Sequence, residues 1–232
     1  KQFPSLFVTN INSSIGAVLF PKMAREQDSI EQIKRTTRMS IRFSSYIMSP
    51  IMFGLAAVSE PFIRIVLTEK WVGCVPLMQW FCLVFLFMPI HTANMQALKA
   101  IGRSDTFLKL ELIKKTIELL SLFAVVWISV DAIVINMAIL TTLFTAVNAF
   151  PNRKLLNYSY KEQVRDIFPS IIMSMVMFLL ILIFNRFVVL TDLMTIIVDI
   201  FIGSALYIGL SIMTKNKEYI HITNTLLKRY GK

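Results

Sequence analysis

Residues 167–185 read IFPSIIMSMVMFLLILIFN, nineteen positions without a single Lys, Arg, Asp or Glu. A helix needs about 20 mainly apolar residues to cross a hydrocarbon core roughly 30 Å thick, so this stretch has the length of one crossing. It lacks the polar/apolar alternation of a lipid-facing strand. Backbone groups in lipid must bond to one another, and a helix achieves this within one segment. The pattern recurs in both directions. Residues 2–21, 43–59, 71–98 and 132–152 carry no charged side chain, while 112–130 and 193–214 each contain one acid, Glu118 and Asp199. The expectation is an all-α polytopic transmembrane helical bundle of about seven spans.

Composition agrees. Of 232 residues, 56% are apolar and only 16% charged, with a mean hydropathy of +0.65. A soluble domain carries about 25% charged residues. The apolar excess cannot be hidden in one globule of this size, which argues against a soluble enzyme, and it excludes disorder. Seven glycines and two cysteines exclude collagen-like, disulfide-stapled and zinc-ribbon classes. The chain opens on Lys1 rather than methionine, so it is expected to be a piece of something longer.

The net charge of +10 reads as topology rather than nucleic-acid binding. Twenty of the 24 Lys and Arg residues fall in four segments, 22–42, 99–115, 153–165 and 215–232. The alternate segments hold only Lys1, Arg64, Lys70 and Arg186. Cytoplasmic loops are the basic ones, which places the N-terminus outside and the C-terminus in the cytoplasm.

Local punctuation fits the same spans. Gly102 is suited to a left-handed helix cap, and Ser104 and Asp105 read as N-cap residues for the next helix. Pro21, Pro61, Pro151 and Pro169 mark span ends, whereas Pro50 and Pro89 predict kinks or broken bonds within spans. Residues 25–42 read as a short amphipathic connector at the cytoplasmic interface, and 219–230 as another.

Conventional chemistry is thinly represented. His91 and His221 lie far apart in sequence, no carboxylate is near His91, and the Cys74/Cys82 spacing fits no ligand pair. No metal site and no cofactor are expected. Neither a phosphate-binding glycine loop nor a GxSxG elbow is present. What remains is polar residues at membrane depth, which need partners or water. Thr9, Asn10, Asn12, Ser13 and Ser14 crowd the first span. His91 and Asn94, three apart, share a helix face with Gln96 nearby. Asn136 and Asn148 are further cavity candidates. Glu118 follows Lys114 by four residues, so it is either a plain ion pair or a protonatable acid on a transport path. Lys99, Arg103, Lys109, Lys114 and Lys115 form a basic mouth that either marks topology or attracts phosphate and anionic lipid.

Several runs of sequence are familiar as a set. VLFPKMA at 18–24 is followed by Glu60-Pro61, LTEKW at 67–71 and Pro76-Leu77. ALKAIGRSD at 97–105, FLKLE at 107–111 and Lys114-Lys115 come next. Asn148 through Tyr158 and QVRDIFP at 163–169 complete the series. In this order and spacing the chain resembles bacterial polysaccharide flippases of the multidrug/oligosaccharidyl-lipid/polysaccharide exporter superfamily. Thr68 stands where that family usually has glycine.

The resemblance implies helices 8–14 of a 14-helix transporter: residues 1–152 as most of the second lobe, 153–215 as two additional helices, and 216–232 as a cytoplasmic tail. It implies an inner-membrane protein, not an enzyme, that moves oligosaccharide repeat units on undecaprenyl diphosphate across the membrane by alternating access. Expected partners are that lipid-linked sugar, membrane lipids and polysaccharide polymerase machinery, with no nucleic acid. Within it, Lys99, Arg103, Lys114 and Lys115 are expected to recruit the diphosphate, and Asn10, Asn12, Asn94, Gln96 and Asn148 to contact sugar hydroxyls. Glu118 is expected to respond to protons or cations. The alternatives are a drug or metabolite exporter of the same superfamily, and a non-transport membrane protein of polysaccharide assembly.

Overall fold

Ser29 opens the first long helix. Its hydroxyl accepts the Gln32 N–H at 3.4 Å, and Glu31 lies in the positively polarised first turn. From there α1 (Ile30–Ala57) runs for 28 residues. The computed structural model describes residues 5, 16–17, 21–26 and 29–230. Every described element is helical: α2 (Ser59–Leu67), a 3-10 turn (Glu69–Cys74), α3 (Val75–Phe85), α4 (Met88–Ala100), α5 (Ser104–Val125), α6 (Val130–Leu155), α7 (Tyr160–Phe187), α8 (Asp192–Met213) and α9 (Lys217–Tyr230).

Among the described residues, four helical stretches are long and apolar enough to cross a membrane, and α1 with α2 makes a fifth if the bent pair is one span. They cover the predicted spans at 43–59, 71–98, 132–152, 167–185 and 193–214. The span at 2–21 lies mostly outside the described residues. The span at 112–130 falls within and just beyond α5, which has the length of a crossing but is not among the five. Its first two thirds carry Asp105, Lys109, Glu111, Lys114, Lys115 and Glu118.

The interface connector predicted over 25–42 is not a separate piece. Ile33, Thr37, Ile41, Ser44, Met48 and Met52 are buried at helical spacing, so one face continues without interruption from the polar end into the span. That face packs along α7. Ser40, Ser44, Ser45 and Ser49 on α1, and Ser170 and Ser174 on α7, are all buried. Small residues let two helices approach closely in a bilayer.

The sharp bend is not at Pro50, which α1 accommodates. It is 69° between α1 and α2. Val58 at the joint has φ −89° and ψ 11°, which turns the chain off the helix axis. Pro89 does break its span: α3 ends at Phe85, and Pro89 sits in the first turn of α4, where its missing N–H costs little. Pro151 and Pro169 lie inside α6 and α7, because both helices continue past the apolar stretch.

Gly102 adopts φ +77°. Its N–H bonds to the Lys99 carbonyl and the Arg103 N–H to the Leu98 carbonyl, closing α4 in the glycine cap expected. The N-cap of α5 is Arg103 rather than Ser104 or Asp105, and no side chain caps it. The chain leaves the glycine turn one residue earlier than the sequence suggests.

Two apolar clusters hold the bundle. One joins Met48, Met52 and Phe53 of α1 to Met173, Met177 and Ile181 of α7, with Met78 and Cys82 of α3. The other gathers Ile33 and Ile41 with Ile90, Ala93, Leu156, Tyr158 and Ile167. A hydrogen bond and an ion pair tie one end: Lys34 Nζ donates to the Asn157 carbonyl (2.6 Å), and Arg42 Nη2 meets Glu218 (2.6 Å). The starts of α1, α7 and α9 therefore share that end, and it collects much of the basic sequence.

Candidate functional site

Polar side chains at depth collect in two places. The first is a knot of amides between α4, α6 and α7. Asn94 is fully buried. Its Nδ2 donates to the Ile90 carbonyl (2.8 Å) and to Gln163 Oε1 (2.6 Å). Its Oδ1 accepts from Asn152 Nδ2 (2.6 Å) and Gln163 Nε2 (3.1 Å). An amide has two donors and two acceptor lone pairs, so Asn94 is saturated. Asn148, one turn before Asn152, places Nδ2 against His91 Nδ1. Asn148 Oδ1 and Asn152 Oδ1 are buried without a donor among the described residues.

Next to the knot lies the second place, a cavity of about 450 Å³ between α4, α5 and α6. Its charged lining is Glu111, Lys114, Lys115 and Glu118, all from one stretch of α5; His91 and Asn136 face it from α4 and α6. Two ion pairs span single turns of α5. Lys114 meets Glu111, and Lys115 meets Glu118 at 2.6 Å. The predicted Lys114–Glu118 pair is replaced by these i,i+3 pairs, because Glu111 captures Lys114. The two lysines differ in setting: Lys114 is buried, while the Lys115 side chain is 70% exposed. Asn136 Nδ2 donates to Ser121 Oγ at 3.1 Å, which docks α6 on α5 beside the acids.

The four expected diphosphate residues separate into two groups. Lys114 and Lys115 line the cavity. Lys99 and Arg103 surround the glycine turn that precedes α5, and position 104 lies about 15 Å from position 114 along the helix axis. Lys99 Nζ sits 4.4 Å from the Phe107 ring centroid. Arg103 Nε meets Asp105 at 3.2 Å. The Thr106 backbone N–H and the Arg103 guanidinium hold the Asp105 carboxyl below its usual range.

Gln96 is half-buried, with Nε2 3.3 Å from where a Cβ on Gly16 would lie. Asn10 and Asn12 lie outside the described residues. Glu111, Asn152 and Gln163 were not singled out from sequence as functional. Gln163 and Asn152 sit in the very runs that carry the family resemblance, and those runs turn out to build the amide knot. Tyr158 OH donates to Asp166 Oδ2 at 2.7 Å, closing the same joint from outside the spans. Burial and then this bond push the Tyr158 phenol up. Among the described residues no three His, Cys, Asp or Glu side chains are placed to hold a metal ion.

A family model described as "Polysaccharide biosynthesis protein" matches residues 1–76. An uncharacterized membrane protein in the cps region of Klebsiella pneumoniae is 24% identical over 215 residues, 90% of this chain and 44% of the relative. The teichuronic acid biosynthesis protein TuaB of Bacillus subtilis is 27% identical over 170 residues, 73% of this chain and 35% of the relative. The lipopolysaccharide biosynthesis protein WzxC of Escherichia coli is 31% identical over 104 residues, 45% of this chain and 21% of the relative. The chain spans less than half the length of these relatives. No solved structure matches it. The chain is thus similar over part of its length to proteins described as taking part in polysaccharide biosynthesis.

Proposed function

We propose that this chain, a multi-pass inner-membrane member of the polysaccharide flippase family, moves undecaprenyl-diphosphate-linked oligosaccharide units from the cytoplasmic to the outer face by alternating access. In this reading the division at 152 and 215 stands, with α7 and α8 as two helices added to the lobe. The chain does no covalent chemistry.

The observation that carries the reading is the cavity on α5, where two lysines and two acids lie within two turns. A diphosphate cannot enter hydrocarbon with its charge unpaired. Lys114 and Lys115 offer replacement interactions at the cavity wall, each now held by an acid it can exchange. Loading the diphosphate releases Glu118 from Lys115, and the freed carboxylate takes up a proton or a cation. That exchange couples substrate to ion, the bound proton or cation offsetting one of the two negative charges that the diphosphate brings. The sugar meets Asn148 and Asn152, whose Oδ1 atoms lack donors among the described residues. Lys99 and Arg103 recruit the diphosphate at the cytoplasmic end before it reaches the cavity. Asn94 has no free valence and holds the knot.

The test is export in cells that lack their own flippase and carry the full-length protein. Lys114→Gln/Lys115→Gln is expected to leave lipid-linked repeat units stranded in the cytoplasmic leaflet. Normal export by a double variant present at wild-type levels in the membrane overturns the assignment. Repeat units that reach the outer face but stay unjoined would point to polymerisation instead.

A further inference from the structure

A groove of about 430 Å³ runs between α1, α7 and α8 and shares no lining residue with the α5 cavity. Its walls are apolar: Ile51 and Leu55 from α1, Met177 and Ile181 from α7, Ile200 and Ile208 from α8. Asp199 is its one carboxylate among the described residues. Asp199 lies seven residues into α8, about 10 Å along the helix axis. It is 2% exposed.

Asp199 Oδ2 accepts one hydrogen bond, from Asn185 Nδ2 at 2.8 Å. Asp199 Oδ1 and Asn185 Oδ1 are both buried without a donor among the described residues. Among the described residues no Lys, Arg or His lines the groove. A buried carboxylate that serves only packing is normally matched by a cation or by several donors. Here the Asp199 carboxylate, with one oxygen lacking a donor among the described residues, is the charged point of an otherwise mostly apolar trough. A metal ion is a poor match, since magnesium and calcium take six or more oxygens and the lining adds only the Ser204 and Tyr207 hydroxyls. The Tyr207 hydroxyl already donates to the Tyr46 carbonyl at 2.8 Å. A trough of this size with one well-placed polar point is typical of sites for small amphipathic molecules.

We infer that the groove between α1, α7 and α8 binds a hydrophobic primary amine, its ammonium donating to Asp199 Oδ1 and its apolar body lying along Ile51, Leu55, Ile181 and Ile200. The ammonium supplies the positive charge and the N–H donors that the site lacks. Gly54 sets the free space: a Cβ built there meets nothing within 4 Å.

The test uses the full-length protein in lipid nanodiscs and dansylcadaverine, a fluorescent primary amine, with empty nanodiscs subtracted. Saturable binding is expected, weakened about tenfold by Asp199→Asn, which keeps the shape and removes the charge. Gly54→Leu, which grows into the groove, is expected to weaken it as well. The N-acetylated probe, which has no charge, should bind the wild type at least as poorly as the amine binds Asp199→Asn. Equal affinity of wild type and Asp199→Asn for the amine overturns the proposal. So does equal affinity of the wild type for the amine and its N-acetyl form, a comparison that needs no variant to fold and would mark the groove as a site for apolar chains only.

Discussion

Arg38 and Asp166, 128 residues apart in sequence, meet in a two-pronged ion pair: Nε lies 2.7 Å from Oδ2, and Nη2 donates to Oδ1 at 2.8 Å. The Tyr158 hydroxyl donates to the same carboxylate. This contact ties the polar start of α1 to α7. Asp166→Ala leaves a guanidinium and a phenol without their acceptor and is expected to cost about 2 kcal/mol. Arg38→Lys keeps the charge but loses the fork and should fall between that variant and the wild type. Equilibrium unfolding in mixed detergent micelles reads both. An Arg38→Lys as damaging as Asp166→Ala would show that the fork geometry carries the whole contact.

Thr68 has φ +80° and ψ 166°, a region populated almost solely by glycine. It lies between α2 and the 3-10 turn. Thr68→Gly relieves the strain and is expected to stabilise the protein by about 1 kcal/mol despite the added freedom of the unfolded chain. A thermal unfolding midpoint at or below that of the wild type would contradict this.

Asn94 bonds to Gln163 and Asn152, so Asn94→Ala strands polar atoms on α6 and α7 as well as removing its own. The expected loss is about 3 kcal/mol, large for one truncation. Hydrogen exchange on α6 and α7 should rise together, because both helices lose their bond to α4. A change confined to α4 would show that the knot is not shared.

Lys115 and Glu118 form an exposed pair on one helix, of a kind that contributes little to folding. Lys115→Gln should therefore leave the unfolding midpoint within about 1 °C of the wild type. Export of lipid-linked sugar should nevertheless fall roughly tenfold, the expected effect of one lost charge-assisted contact. Loss of stability and export in proportion would make Lys115 a structural residue and remove it from the substrate path.

Helix class and the places of five of the seven expected apolar spans follow from the sequence alone. A bilayer makes one demand on every crossing, length without charge, and that demand is local and one-dimensional. The glycine turn at Gly102 is legible for the same reason, since φ +77° at a helix end is a property of one residue and its neighbours. The partners of the charges are not local. Lys114 could meet an acid three residues back or four ahead, and packing on α5 decided for Glu111. Asn94 looks like a cavity residue when read beside His91. Only the approach of Asn152 and Gln163, 58 and 69 residues away, makes it the saturated centre of a joint. The bend at Val58 and the groove over Asp199 arise from how α1, α7 and α8 lie against each other, and hydropathy along the chain records nothing about that arrangement. Sequence determines which segments leave water, because transfer free energy is close to additive over residues. Tertiary structure decides which polar groups are satisfied and which are left waiting, because a hydrogen bond depends on the position of two groups at once.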